Sequence, residues 1–447
     1  VTGGTAGYPA AASRRATKIR ANDLQGVATP MSLAADTALR YLGVGARWGR
    51  QVAADPAAFS RAAGLLLRGS PRLAAWVLGW ATTEFPLQVL AGHALGTVGA
   101  PPLDRLVSGL AAQRSAEVLD TALREVFGRQ YLDGVHHPLA PDPSLRLPAS
   151  RLIDATRQRR RYTAETTNIA YGPAGRDHLL DIWRRPGLPE AHRAPVLLQI
   201  PGGAWAISEK RGQAYPLMNR MAELGWICVT INYSRSPFAP WPQHLIDVKR
   251  AVAWVRRHIT EFGGDPDFIA VTGGSAGAHL GSLAALTAGD RRLQPGFETA
   301  DTSVQAVVPH YGVYDLTDTD NMHDLMMPFL EQFVLRARLA DSRDIYEAAS
   351  PITHVHRDAP PFLVLHGRDD AVIPSRQAES FVAALRRAGA STIGHAELPN
   401  AHHAFDTMAT VRSQTVAEGV ARFLGTVYGR YAGMCLDGTQ LHTSSAS

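Results

Sequence analysis

The stretch FIAVTGGSAGAHLGSLAALTA, residues 268–288, runs from an apolar segment through a glycine-rich turn into a small-residue helical pattern. Ser275 stands at the turn, between Gly273-Gly274 and Ala276-Gly277. Small neighbours at that spacing let a sharp strand-to-helix turn hold the serine in a strained conformation while adjacent segments pack closely. The helix that opens at Ala276 directs its free N–H groups and positive dipole end toward the serine oxygen. An ordinary glycine-rich turn would use the same five residues, so the decision rests on what surrounds them.

Working outward, apolar runs recur at residues 179–183, 196–200, 226–233, 304–311, 361–366 and 392–398, most of them separated by helical patterns. Leu245, Val248, Val252, Val255, Ile259 and Phe262 step by three and four along one helix face, which stops at Gly263-Gly264. Strands alternating with helices, the strands almost continuously apolar, imply an α/β fold with a mostly parallel central sheet covered by helices on both faces.

A serine hydroxyl is a poor nucleophile until a base takes its proton and a carboxylate orients that base. Both residue types follow in the required order. PPFLVLHGRDDAVIP places Asp369 and Asp370 in the loop after one late strand, and AELPNAHHAFD places His402 and His403 in the loop after the next. Taken singly, a loop aspartate is an ordinary cap and a loop histidine an ordinary surface residue; their order after successive strands sets them apart. Upstream, VLLQIPGGAW (residues 196–205) ends a strand in a glycine pair. Alone it reads equally as a tight turn, a phosphate cradle or an oxyanion hole.

Together these motifs resemble the hormone-sensitive-lipase-like esterases of the α/β-hydrolase fold, most closely the carboxylesterases and lipases of mycobacteria and related actinobacteria. The resemblance covers about residues 165–427, and the N-terminal helical extension is similar to that of some mycobacterial members. It implies Ser275 of the GxSAG elbow as nucleophile, Asp370 of the HGxxDxxVP-like loop as acid, and His403 of the HxF loop as base. It also places PGGAW where the family has HGGGW, so the amides of Gly203, Ala204 and Ala276 are expected around the oxyanion. Gly202, Trp205, Met326 and Phe405 are expected to border the substrate, with Trp205 anchoring the loop and Phe405 behind the histidine. Met326 belongs to NMHDLMMPFLEQFVL (residues 321–335), whose methionines suit a pocket for acyl chains of several lengths. INYSRSP and WPQHLIDVKRAVAWV look like scaffold signatures of the same family. Three positions depart from the pattern: Pro201 replaces the leading histidine, Ala204 the third glycine, and Gly274 the common acidic residue before the serine.

The reading is therefore a serine carboxylesterase or lipase acting on small-molecule or lipid esters, and no metal or organic cofactor is implied. A prolyl-oligopeptidase-type peptidase would share fold and triad order, but no propeller-like repeat precedes the catalytic part. A catalytically silent scaffold, motivated by Pro201, would not need every triad position filled.

The rest of the chain divides by composition. Residues 1–30 are expected to be disordered, 31–135 a helical extension, 136–163 a Pro/Arg-rich linker, 164–430 the catalytic domain and 431–447 a flexible tail. Residues 1–161 hold 20 Lys and Arg against 11 Asp and Glu, so the extension carries the excess of the formal +5 charge. Within it, residues 73–103 are highly apolar, with one formal charge at Glu84 and a breaker at Pro86. That stretch reads either as a membrane-associated hairpin or as helices capping the enzyme. The arginine run 157–161 reads as a solvated linker or a membrane contact; no interleaved aromatics or zinc spacing point to nucleic acid. No cleavable signal peptide is evident at the N-terminus, and Cys228 and Cys435 suggest no disulfide framework. A cytoplasmic or membrane-associated location is expected, and the sequence does not speak to oligomeric state.

Overall fold

The computed structural model describes residues 103–134, 155–163, 166–189, 193–318, 326–407 and 409–443. The apolar stretch 73–103 lies outside them except for its last residue, as does the expected disordered segment 1–30. Among the described residues no helix is long and apolar enough to cross a membrane.

Eight strands form one sheet in the order β1-β2-β4-β3-β5-β6-β7-β8. They are β1 (Ile169–Ala170), β2 (Leu179–Trp183), β3 (Ala194–Ile200), β4 (Ile227–Ile231), β5 (Gly264–Gly274), β6 (Ala306–His310), β7 (Phe362–Gly367) and β8 (Ile393–Leu398). β1 and β2 pair antiparallel at one edge, and every pairing from β4 to β8 is parallel. The apolar runs read from the sequence become strands; only the two-residue β1 gave too short a signal to read.

The core has two parts, one on each face of the sheet, because successive strand side chains point to opposite sides. Val196, Leu198, Ile200, Ile269 and Val271 pack with α4 (Gln243–His258), α5 (Ala276–Leu286) and α8 (Arg376–Arg387). Leu197, Cys228, Phe268 and Ala270 pack with α1 (Leu103–Phe127), α3 (Tyr215–Glu223) and α9 (Val411–Thr443). The remaining helices are α2 (Ala155–Thr163), α6 (Met326–Phe329) and α7 (Arg343–Ala348). The face of α4 identified from its three-and-four spacing is the face that is buried, and Gly263 ends the following turn at φ 85°.

Two expectations are corrected here. Residues 431–443, expected as a flexible tail, continue α9, and residues 155–163, expected as linker, form α2. Part of the N-terminal extension is also an integral layer of the enzyme. Leu119, Ala122 and Leu123 of α1 are buried with Val416, Val420 and Phe423 of α9. A Cβ on Gly419 would stand 2.9 Å from a Leu119 methyl, so the glycine lets the two helices close.

β3 has β4 on one side and β5 on the other, so the strand order reverses between β3 and β5. In open α/β sheets a crevice opens at the carboxyl ends of such a strand pair. Ile200 pairs with Gly273 there, which brings the loop after β3 against the turn after β5.

Candidate active site

Ser275 sits at that turn with φ 55° and ψ −120°, a conformation that costs a non-glycine residue energy and raises its side chain above the sheet. Its glycine neighbours are required by close approach. A Cβ on Gly277 would meet the Ile200 carbonyl oxygen at 2.1 Å, and one on Gly273 would meet Gly277 backbone at 2.6 Å.

His403 Nε2 lies 3.0 Å from Ser275 Oγ, and His403 Nδ1 lies 2.7 Å from Asp370 Oδ2. The carboxylate acceptor on Nδ1 makes that nitrogen the donor and leaves Nε2 as a lone-pair acceptor facing the serine hydroxyl. Asp370 is held by the Val372 and Ile373 amides at 2.8 and 2.9 Å on Oδ1, and His366 Nε2 approaches Oδ2 at 3.4 Å. Burial by itself would raise the Asp370 carboxyl; the imidazoles of His403 and His366 overcome that and hold it well below the usual carboxylate range. The neighbouring residues, open alternatives on residue type alone, are placed elsewhere. Asp369 is exposed and His402 turns its Nδ1 to the Asp369 carbonyl at 2.8 Å.

The PGGAW loop is folded tightly, with φ of 124°, 49° and 57° at Gly203, Ala204 and Trp205. A Cβ on Gly202 would lie 3.3 Å from the Ser275 Cβ and 2.6 Å from the Gly274 carbonyl oxygen, so the loop rests on the elbow. The Gly202 N–H is engaged: it donates to Gln213 Oε1 at 2.8 Å, and Gln213 Nε2 donates back to the Gly202 carbonyl at 3.2 Å. The N–H groups of Gly203, Ala204 and Ala276 have no hydrogen-bond acceptor among the described residues.

The loop is held from three directions. Besides the Gln213 clamp, the Tyr233 hydroxyl donates to the Pro201 carbonyl at 3.0 Å, and the Trp205 indole N–H donates to His279 Nδ1 at 3.2 Å. His279 Nε2 in turn donates to the Ala349 carbonyl at 2.7 Å, and burial lowers its pKa to about 4, so the ring stays neutral and can accept. Gln213 and His279 carry no motif of their own, and Tyr233 stands in the INYSRSP scaffold signature, which by itself does not tie its hydroxyl to Pro201.

Two residues expected to border the substrate are corrected. Trp205 is 2% exposed and Phe405 0%, the indole N–H being taken by His279 and the phenyl lying edge-on to Tyr311. Both support the loops from beneath. Met326 is half-buried against the core, with Met327 and Phe329 beside it; residues 319–325 lie outside the described residues. Among the described residues no group of three His, Cys, Asp or Glu side chains is arranged to hold a metal.

A family model described as BD-FAE matches residues 180–385. Esterase LipQ of Mycobacterium tuberculosis is 57% identical over 389 residues, covering 87% of this chain and 92% of that protein. The probable carboxylic ester hydrolase LipM of the same organism is 49% identical over 81% of this chain and 89% of its own length, and esterase LipC is 40% identical over 76% and 83%. Among solved structures, a truncated carbohydrate esterase from gut microbiota superposes with a TM-score of 0.50 at 24% identity, over 59% of this chain and 98% of that one, a likeness of fold alone.

Proposed function

The chain belongs to the hormone-sensitive-lipase-like esterases of the α/β-hydrolase fold, and on that premise we propose that it hydrolyses carboxylic esters through an acyl-enzyme on Ser275. The observation that carries this reading is the hydrogen-bonded chain from Ser275 Oγ to His403 to Asp370. Ser275 Oγ attacks the ester carbonyl carbon while its proton passes to His403 Nε2. The carbonyl oxygen becomes an oxyanion and takes the free amides of Gly203, Ala204 and Ala276. Collapse breaks the carbon–oxygen bond to the alcohol, which leaves with the proton from His403 Nε2. Water, deprotonated by the same nitrogen, then releases the acid and restores Ser275. Asp370, ionised throughout, fixes the imidazole tautomer and stabilises the imidazolium.

Lipid esters are the proposed substrate class, and an anionic membrane surface the place where they are met. The positive extension and its apolar stretch 73–103 support this, since basic charge beside apolar surface favours anionic lipid. An organophosphonate probe should label Ser275, and Ser275→Ala should abolish both labelling and hydrolysis of p-nitrophenyl esters. Labelling elsewhere, or a Ser275→Ala enzyme that still turns over, refutes the nucleophile. A chain-length series of the same esters and flotation with anionic liposomes read out the lipid part: activity confined to the shortest acyl chains and no flotation at low salt would refute it.

A further inference from the structure

We infer that Tyr311, Asp406 and His310 form a second buried polar unit whose task is to position His403 against Ser275. The inference rests on the Ser275–His403–Asp370 reading above. Asp406 follows His403 by three residues on the same loop and is buried. The Tyr311 hydroxyl donates to Asp406 Oδ1, and His310 Nδ1 lies 2.9 Å from Asp406 Oδ2, off the line of a good hydrogen bond. The Tyr311 ring packs on the His403 imidazole with centroids 4.7 Å apart and planes inclined by 59°. It also meets Phe405 edge-on at 5.1 Å.

The same two residues hold the serine and acid sides through their backbones. The Ser275 N–H donates to the His310 carbonyl at 2.9 Å, and the Tyr311 N–H donates to the Leu365 carbonyl of β7 at 2.7 Å. One dipeptide therefore touches the elbow, the strand that leads to Asp370 and the histidine ring. Tyr311 does so at φ 40°, where a bulky side chain is strained and persists only if its surroundings demand it.

The unit also accounts for Gly274. A Cβ there would stand 2.5 Å from the Tyr311 hydroxyl oxygen, so an acidic side chain before the serine would displace the tyrosine. The carboxylate comes instead from Asp406. Burial pushes the Tyr311 hydroxyl well above its ordinary range and keeps it a donor; burial would also raise the Asp406 carboxyl, but His310 more than offsets it and holds the carboxyl ionised. A protonated donor facing an ionised acceptor gives a charge-assisted bond that fixes the loop carrying His403.

The test uses the full-length protein with Tyr311→Phe, which keeps the ring contacts and removes only the hydroxyl, and with Asp406→Asn. For Tyr311→Phe, kcat on a short p-nitrophenyl ester should fall about 10- to 100-fold with KM within about twofold, as misplacement of a catalytic group costs. The rate of phosphonate labelling at Ser275 should fall by the same factor. Because the residues act as a unit, the double variant should be no slower than the slower single variant. Wild-type kcat in folded Tyr311→Phe, a loss seen only in melting temperature, or losses that multiply in the double variant each overturn the inference. If Asp406→Asn does not fold, Tyr311→Phe decides alone. Ser275→Ala is run in parallel: residual hydrolysis there refutes the nucleophile reading, whereas its silence beside an unaffected Tyr311→Phe refutes only the positioning unit.

Discussion

Two histidine–aspartate pairs lie side by side at the carboxyl end of the sheet, and only one of the two reaches a serine hydroxyl. In the pair His403–Asp370 the carboxylate takes one ring nitrogen and the other faces a serine hydroxyl at 3.0 Å. In the pair His310–Asp406 the carboxylate is shared with a tyrosine, and among the described residues the far ring nitrogen meets only the Thr272 hydroxyl, at 3.5 Å. The side-chain types match, so residue identity does not separate them. What separates them is the partner of the second nitrogen and its access: the first pair ends at the half-exposed Ser275, the second is enclosed by Phe405 and the sheet.

The comparison breaks most readily at the carboxylate. Asp370→Asn should cut kcat about 10⁴-fold by allowing the wrong imidazole tautomer, while Asp369→Asn, exposed and engaged through its backbone N–H and carbonyl, should stay within about twofold. Steady-state kinetics of both variants would show an exchange of roles if the order were reversed.

A smaller loss is expected where neither pair is touched. Gln213→Ala frees the Gly202 N–H and carbonyl and loosens the loop bearing the Gly203 and Ala204 amides, so kcat should fall about 10- to 100-fold with KM little changed. Unchanged kcat would mean that Tyr233 and the Trp205–His279 bond hold the loop unaided.

His279, which meets no carboxylate, sharpens the contrast through pH. Its pKa falls from 6.5 unfolded to about 4 folded through burial, so the unfolded chain binds more protons in that window. Its contribution is fully present above pH 6.5 and is lost as pH falls toward 4, with a limit of about 3 kcal/mol. Urea midpoints should therefore drop between pH 6.5 and 4, and less steeply in His279→Asn; an equal drop in both would assign it to the other histidines lowered in the same way by burial, His244 and His395. The smallest effect belongs to Phe238, 93% exposed on the loop after β4. Phe238→Ser should move stability by less than about 0.5 kcal/mol and leave short-ester turnover unchanged, and a larger change in thermal melting would reveal a partner for that ring.

How much of this was legible followed from the range of each interaction. Ser275 was readable because the elbow is written in five adjacent residues, although the atoms that require its glycines belong to Gly277 itself and to the remote Ile200 and Tyr311. The strands were readable because buried parallel strands are apolar on both faces. Residues 155–163 were misread because a polar sequence becomes helical when side chains such as Tyr162 find a core remote in sequence, and 431–443 because they extend the helix that begins at Val411.

The sequence by itself determined the α/β architecture, the serine and the order of acid and base, since pattern, turn chemistry and motif spacing are local properties. The tertiary structure alone decided which side chains hold the loop around Pro201, why Gly274 stands before the serine, and that Tyr311 and Asp406 belong together. Gln213 lies 11 residues from Gly202, His279 lies 74 from Trp205, and Asp406 lies 95 from Tyr311. Side chains with no periodic or motif signal become partners only when the strand reversal at β3 and β5, and the loops after β6 and β8, bring them within hydrogen-bond distance.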